Sequence, residues 1–416
     1  MDLDLPDKIG ALLSKGVVIP APYAVEIGDD VNLDRISGDG VAIHAGCKIY
    51  GSSTLILQGS KLGYEGPVAV DNCQIGPNVQ LNGGFFKEAV FLNKASAGFG
   101  AHIREGTIFE EEASVAHTVG LKQTILFPFV TLGSLINFCD CFMAGGTDRN
   151  NHSEVGSSFI HFNYTPNQDK ATPSLIGDVP GGVMLNRPPI FLGGQGGLVG
   201  PCRLSYGIIT AAGTINRKDE LRTGRLIFGG AAKGGNIPFT PGVYRSEKRI
   251  VINNIIYIAN LIALGHWYHH VRSMFVSEQF PKALLDGLQE KLSMAIGERI
   301  RRLGELSLKL PDTGDSQTDR SGILIRQRKE LFDRWPELNG YLEARGDRAG
   351  DSADRDRLLE TINSGIDRSG REYINTIQRL PSEAAVCGTL WLQGIVDSIL
   401  EDAFEIIPSF EKNIHR

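Results

Sequence analysis

The chain has 416 residues, of which 50 are glycine and 42% are hydrophobic, and its formal net charge is −6. These proportions allow a sizeable hydrophobic core and exclude collagen-like and low-complexity chains, and the acidic balance argues against a dedicated nucleic-acid binder, which needs a clustered basic surface. Because 37 glycines lie in residues 1–245 and only 13 in residues 246–416, the sequence predicts two domains of different construction, 1–240 and 241–416.

The beginning of the chain, residues 1–6, is acidic and has neither the basic nor the apolar region of a signal peptide. The longest apolar stretch, residues 250–264, contains three asparagines and predicts a buried helix rather than a membrane span. Cys139 and Cys141 would point to opposite sides of an extended segment, so they favour small buried side chains over a metal or redox pair. We therefore expect a cytoplasmic protein with no membrane partner, no nucleic-acid partner and no metal.

Between about residues 16 and 218, an aliphatic residue followed by glycine recurs at short intervals. Glycine at this density would cost a helix roughly 1 kcal/mol per residue, so helices are excluded here. The pattern predicts hexapeptide repeats of a parallel β-helix, in which glycine turns the corners between very short strands. Three six-residue faces give a coil of about 18 residues, and successive coils lie ~4.8 Å apart. The repeating pairs include Ile27-Gly28, Leu62-Gly63, Ile75-Gly76, Leu132-Gly133 and Ile176-Gly177.

Two cations are spaced by one such coil. Arg104 and Lys122 are 18 residues apart, so they lie one above the other if the register holds between them. From the spacing alone, two unrelated surface cations remain the alternative, because long basic side chains are commonly solvated.

From about residue 103 to residue 219 the sequence resembles the acetyltransferase domain of the bifunctional N-acetylglucosamine-1-phosphate uridyltransferase/glucosamine-1-phosphate acetyltransferase family. Four stretches carry the resemblance: residues 103–107, residues 119–122, residues 162–170 running into 176–178, and residues 190–201 followed by 206–214. The resemblance implies a left-handed parallel β-helix that works as a homotrimer, with acetyl-CoA bound between adjacent subunits. No counterpart of the family's uridyltransferase domain is expected.

The resemblance also implies roles for individual residues. Arg104 and Lys122 match the arginine and lysine that hold the sugar phosphate in the family. Asn163, Tyr164 and Lys170 match further contacts to the sugar and its phosphate, and Glu154 stands where the family has an asparagine one coil below Asn163. The stretch that meets the pantetheine arm of acetyl-CoA through backbone groups corresponds to Ala211, Ala212, Gly213 and Thr214.

The family's catalytic histidine falls at Ser134 and its following tyrosine at Asn137. Acyl transfer from a thioester to an amine needs a base, and histidine is the usual one. Three nearby groups are candidates: His152 and Asp140, in or beside a loop about six residues longer than the family's, and His161, which shares a strand face with Asn163 if the segment is extended. A structural role for His161 and a solvated loop position for His152 are the alternatives. His117 is a weaker candidate.

After residue 241 the apolar spacing becomes helical, as in the run Leu284, Leu288, Leu292 and Ile296, and predicts an all-α domain. Such a domain is most simply a cap for the open end of the β-helix, with oligomerisation or contact with a partner enzyme as alternatives. The cluster at residues 267–270 is expected in a core or an interface rather than in a metal or substrate site.

The sequence thus predicts a CoA-dependent N-acyltransferase, with acetyl-CoA as co-substrate, acting on an amino-sugar phosphate or a nucleotide sugar of the UDP-N-acetylglucosamine type. Two alternatives stay open. One is a non-catalytic nucleotide-sugar-binding or scaffold protein, and the other is a different sugar-nucleotide reaction at the same phosphate site.

Overall fold

The computed structural model describes residues 5–229, 236, 238, 247–310, 319–344 and 352–411. Within these residues, short strands form three parallel sheets of 10, 8 and 10 strands, and one separate two-stranded hairpin. Strands of each sheet pair with the corresponding strands one coil away, as expected for a left-handed parallel β-helix of hexapeptide repeats, so the predicted fold class is confirmed. The predicted domain boundary between residues 240 and 241 lies outside the described residues.

The three sheets are the three faces of the β-helix. The first face consists of Glu26–Ile27, Lys48–Tyr50, Val68–Asp71, Gly84–Lys87, Ala101–Ile103, Val119–Lys122, Ile136–Cys139, Ile160–Phe162, Gly197–Val199 and Ile215–Asn216. The second face consists of Leu55–Ile56, Gln74–Ile75, Ala89–Phe91, Thr107–Phe109, Ile125–Leu126, Cys141–Met143, Ser174–Ile176 and Arg203–Leu204. The third face consists of Ala42–Ile43, Lys61–Leu62, Gln80–Leu81, Ser96–Ala97, Ser114–Val115, Thr131–Leu132, Glu154–Val155, Phe191–Leu192, Ile209–Thr210 and Leu226–Ile227.

The chain runs from the first face to the second and then to the third, so each coil has three corners. We number them by order: the first corner joins the first and second faces, the second corner joins the second and third, and the third corner leads back to the first face. The hairpin of Gly146–Asp148 and Asn151–His152 is inserted at the second corner. Corners need backbone conformations with positive φ, as at Gly106, where φ is 72°.

Register along the first face agrees with the coil length expected from the sequence. Ile103 pairs with Leu121, 18 residues later, and Leu121 pairs with Phe138, 17 residues later. All three side chains are buried inside the β-helix, so the column of inward-facing apolar residues fixes the register of the outward-facing residues between them.

Eight α-helices accompany the strands in the described residues. They are α1 (Asp7–Ser14), α2 (Val179–Gly182), α3 (Glu247–His270), α4 (Lys282–Lys309), α5 (Asp319–Ala344), α6 (Ser352–Ser369), α7 (Tyr373–Gln378) and α8 (Ser382–Ile406). The largest packing contacts among them are those of α3 with α4 and α8, and of α6 with α8. The predicted all-α region after the β-helix is therefore confirmed.

The helices α3 and α4 lie along the second face of the β-helix. Helix α4 contacts Gln74–Ile75, Ala89–Phe91 and Thr107–Phe109, and α3 contacts Ser174–Ile176. Every residue of these four strands is buried, because the helices cover the outer side and the core covers the inner side. The prediction of an end cap is wrong for these two helices, since the apolar outer surface that they bury runs along the side.

Helix α3 is the apolar helix expected from residues 250–264. With the turn after it, residues 247–275, it is the one helix in the described part of the chain that is long and apolar enough to span a membrane, and 89% of its apolar window is buried within the protein. Its asparagines bind the β-helix: Asn254 Nδ2 donates to Ala171 O at 2.9 Å, and Asn260 Oδ1 accepts from Val179 N at 3.0 Å. The predicted buried helix is thus packed against the β-helix, with amide groups of two of its asparagines hydrogen-bonded across the interface.

Candidate functional site

The outer edge of the first face carries three stacked cations. Because Ile103 pairs with Leu121 and Phe86 pairs with Ile103, the next residues Lys87, Arg104 and Lys122 follow in one line, one coil apart. We call these three residues the cation column. It lies at the first corner, where each strand of the first face ends. The register therefore places Arg104 and Lys122 one above the other, as their 18-residue spacing predicted.

Carboxylates neutralise two of the three cations. Lys122 forms an ion pair with Glu105, and Lys87 forms one with Asp71 at 3.2 Å. Partial burial opposes ionisation of Glu105, but the hydrogen bond from Lys122 and the nearby positive charges hold the pKa of Glu105 below its ordinary value. In the described residues Arg104 has no carboxylate within ion-pair distance, and its Nη2 donates to the Cys139 thiol at 3.8 Å. Arg104 is thus the cation of the column that is open to an external anion.

A notch lies beside the column in the middle of the first face. His102 and Asn137 are exposed, and Gly120 is stacked between them. A Cβ added at Gly120 would meet nothing closer than the Ile136 carbonyl oxygen at 4.0 Å, so the surface between the two side chains is open. The ring of His102 stacks on Phe85 with centroids 5.1 Å apart. Sequence reasoning missed His102, although its position two residues before Arg104 placed both on one side of a strand.

A buried network lies behind the column at the first corner. Asp140, with φ of 60°, accepts a hydrogen bond from Asn163 Nδ2 at 2.7 Å and forms an ion pair with Arg299 of α4 at 2.8 Å. Asp140 and Arg299 are both buried. Asn163 is therefore oriented by a carboxylate that the helical region itself holds in place. The sequence did not predict that these three residues are in contact, because Arg299 is distant in the chain from the other two.

His161 lies inside the β-helix rather than on its surface. It is 1% exposed, its Nδ1 lies 2.7 Å from Cys139 O, and its Nε2 lies 2.7 Å from Ser174 Oγ. A carbonyl only accepts, so Nδ1 carries the proton and Nε2 accepts from the serine hydroxyl. Burial lowers the pKa of His161 to about 4. The ring is neutral at neutral pH, and both of its nitrogens are occupied by protein.

The loop from residue 163 to residue 173 carries the remaining predicted phosphate contacts. Tyr164 is 55% exposed, and Lys170 Nζ lies 6.0 Å from the centre of its ring. Helix α4 holds the loop, because Arg299 donates to Lys170 O at 3.4 Å and Lys309 donates to Gln168 O at 2.6 Å. The first corner thus carries Arg104, Lys122, Asp140, Asn163 and Lys170, spread over several coils, with Tyr164 exposed on the same loop as Lys170.

His152 and Glu154 lie at another corner. His152 belongs to the hairpin at the second corner, and its Nε2 is 3.9 Å from Glu154 Oε2. Among the described residues the buried Nδ1 of His152 has no hydrogen-bond partner. Arg149 of the hairpin contacts the β-helix by donating to Phe129 O at 3.0 Å. The structure therefore separates His152 and Glu154 from the cation column.

The predicted CoA segment, Ala211 to Thr214, lies at the third corner. Gly213 N donates to Gly194 O at 2.9 Å, which fixes the segment above the glycine-rich turn. Ser134 occupies the same corner lower in the stack, as Ser158 N donates to Ser134 O at 2.8 Å and Gln195 N donates to Ser157 O at 2.8 Å. Within one chain, the predicted site residues thus occupy three different corners.

Comparison with known proteins agrees with this arrangement. No protein-family model matches the chain. The bifunctional protein GlmU of Thermotoga sp. (strain RQ2) is 26% identical over 218 residues, which cover 51% of this chain and 42% of that protein. GlmU of Thermotoga maritima is 26% identical over 222 residues, with the same two shares. GlmU of Trichlorobacter lovleyi is 27% identical over 209 residues, covering 50% of this chain and 40% of the relative.

The chain spans about two fifths of the length of these curated relatives. The similarity, together with the β-helix, confirms the predicted resemblance to the acetyltransferase region of the bifunctional family.

Proposed function

We propose that this protein is a CoA-dependent N-acyltransferase that acts on an amino-sugar phosphate or a nucleotide sugar, with acetyl-CoA as the acyl donor. The observation that carries the proposal is the cation column beside the Gly120 notch. Arg104 and Lys122 offer a phosphate two cations one coil apart, and charged hydrogen bonds of this kind are the strong ones. The open surface over Gly120 gives a sugar ring room next to that phosphate.

The remaining predicted residues have distinct roles in this proposal. Asn163, held by Asp140, and Lys170, on the loop held by α4, would contact the sugar and its phosphate from the first corner. Tyr164 is exposed beside Lys170 and would cover the bound ligand. Glu154 is a proposed substrate contact at the second corner.

Acetyl-CoA is proposed to lie along the backbone of Ala211 to Thr214 at the third corner. Because the first and third corners lie at opposite edges of the first face, we propose a homotrimer in which a neighbouring copy supplies the corner that one chain lacks. The cytoplasmic location expected from the sequence remains part of the proposal.

The chemistry is transfer of an acyl group from sulfur to nitrogen. The amine attacks the thioester carbonyl carbon, the C–S bond breaks, and the proton lost by the amine has to reach the CoA thiolate through a base. His161, His152 and Asp140 remain the candidates named from the sequence. None of the three lies on the outer side of the first face, because His161 points inward, Asp140 is buried at the first corner and His152 lies at the second corner.

One observation favours the non-catalytic alternative. Both nitrogens of His161 and both carboxylate oxygens of Asp140 are already paired within the protein. A nucleotide-sugar-binding protein would keep the cation column and need no base. The remaining alternative, a different sugar-nucleotide reaction, would use the same column.

The test is release of free thiol from acetyl-CoA by the purified full chain, with a panel of hexosamine phosphates and nucleotide sugars. The proposal expects thiol release with at least one amino sugar, and loss of it in Arg104→Gln but not in Lys61→Gln, a control at an exposed lysine of the third face. If a nucleotide sugar stabilises the protein thermally but no member of the panel causes thiol release from acetyl-CoA, the result would instead favour the non-catalytic binding protein.

A further inference from the structure

A histidine and a serine are in contact at the third corner, on the edge of the first face. His117 Nδ1 lies 2.9 Å from Ser134 Oγ. His117 is exposed and Ser134 is partly exposed. Ser134 stands where the resemblance placed the family's catalytic histidine, and the imidazole of His117 lies one coil below it.

The backbone holds this pair in a fixed geometry. Leu135 N donates to His117 O at 3.1 Å, which stacks the two corner turns directly on each other. Ser134 N donates to Ser157 Oγ at 3.1 Å, so the serine is also tied to the coil above. Both residues therefore sit on the rigid part of the β-helix, unlike His152 on its inserted hairpin, and rigid elements hold catalytic groups more accurately than loops do.

The pair lies at the edge of the proposed substrate surface that is opposite the cation column. The strand Val119–Lys122 begins two residues after His117 and ends in the cation column. The five backbone steps from His117 to Lys122 span at most about 16 Å when extended, and Gly120 leaves the middle of that span open. Since Arg104 and Lys122 have long side chains, a sugar whose phosphate lies on the column can place its amino group toward His117.

We propose that His117 is the general base of the acyl transfer, with Ser134 as a positioning residue. This rests on the proposed function. In this assignment the His117 ring carries its proton on Nδ1 and donates it to Ser134 Oγ, which leaves the Nε2 lone pair free. As the nitrogen of the neutral amine bonds to the thioester carbon, Nε2 accepts a proton from that nitrogen. The tetrahedral intermediate then collapses, the C–S bond breaks, and the imidazolium Nε2–H returns that proton to the leaving thiolate, giving the amide and free CoA thiol.

The decisive variant is His117→Asn in the full chain. An asparagine Nδ2 can still donate to Ser134 Oγ but offers no base, so a purely structural role for His117 would survive the change. Steady-state kinetics with acetyl-CoA and the amino sugar found in the panel should show kcat at least about 100-fold lower, with KM changed by less than threefold. Free imidazole should restore part of the rate to His117→Gly. Ser134→Ala should lower kcat by a smaller factor.

The matched control is His44→Asn, a histidine at the third corner of an earlier coil, which should lower kcat by less than about fivefold. If His117→Asn keeps the wild-type kcat, or if loss of kcat follows His102→Asn, His152→Asn or Asp140→Asn instead, the assignment of His117 is overturned while the transferase remains. An acyl ester on Ser134 after acid quenching, found by mass spectrometry, would overturn it as well, because the serine would then be the nucleophile. If the wild-type protein acylates no amino sugar, both the proposed function and the role of His117 fail.

Discussion

The first and second faces of the β-helix are built from the same repeat, but the outer surface of the first is accessible and the outer surface of the second is buried. On the first face the outward positions include His102, Arg104, Lys122 and Asn137, and they remain accessible. On the second face the outward positions of Ala89–Phe91 and Thr107–Phe109 are buried under α4. The hexapeptide repeat fixes only the inward residues, so the outward residues are free to form a binding surface on one face and a domain interface on another.

Breaking the interface of the second face should have the largest effect on stability. Arg299→Met leaves the buried Asp140 carboxylate without its cation, and loss of one partner of a buried pair typically costs about 3–5 kcal/mol. Urea unfolding should show this loss. Arg301→Met, at an exposed position of the same helix, should cost less than about 1 kcal/mol. Equal losses in the two variants would contradict a special role for the Asp140 contact.

The pH dependence of stability offers a second way to probe the interface. Burial raises the pKa of Glu110 to about 7 from its ordinary 4.5, despite the opposing charge of Arg272, and Tyr268 Oη donates to Glu110 at 2.6 Å. The stability that Glu110 contributes is present below pH 4.5 and is lost as the pH rises through about 7.

The free energy of unfolding should therefore include a decrease on the order of 2 kcal/mol between pH 5 and pH 8 that Glu110→Gln abolishes. Urea titrations at both pH values measure it. Glu112→Gln, on the same corner turn but ion-paired outward to Lys94 at 3.7 Å, is the control and should leave the dependence in place. If the decrease in the free energy of unfolding persists unchanged in Glu110→Gln, other groups and not Glu110 cause it.

On the first face, a comparable substitution should change binding instead of stability. Arg104→Gln removes the cation that is open to a ligand phosphate, and a charged hydrogen bond is worth about 1.5–3 kcal/mol, or roughly 10–100-fold in affinity. Isothermal titration with a hexosamine phosphate measures the loss, and the melting temperature should stay unchanged. Arg222→Gln, an exposed arginine away from the column, should leave the affinity as it is. A lower melting temperature with unchanged affinity would make Arg104 a structural residue.

The smallest expected effect is an increase in affinity for the ligand. Glu105 is paired with Lys122 and in the proposed site would compete with a ligand phosphate for it. Glu105→Gln should therefore tighten binding of the same hexosamine phosphate by about 2–5-fold, as expected for a partly exposed ion pair. Glu65→Gln, an exposed carboxylate at an earlier coil, is the control. Weaker binding in Glu105→Gln would show that the carboxylate helps to hold the ligand.

Sequence reasoning succeeded where spacing converts directly into position. The coil length placed Arg104 above Lys122 because inward residues such as Ile103 and Leu121 have to stack at the strand spacing. The same rule could have found His102, two residues before Arg104. It could not find the Ser134 and His117 contact without the 17-residue length of that coil, since one residue more or less moves a corner side chain to a different neighbour.

The sequence by itself determined the parallel β-helix, the helical region and the stacking of Arg104 with Lys122, because each follows from a local repeat. Only the tertiary structure decided which face the helices cover, that Arg299 reaches Asp140, and that both nitrogens of His161 are enclosed. These contacts join residues far apart in the chain, and they depend on how two surfaces fit together rather than on any periodic pattern. The sequence offered His117, the accessible histidine at the third corner, only as a weaker candidate, and its contact with Ser134 is seen only in the tertiary structure.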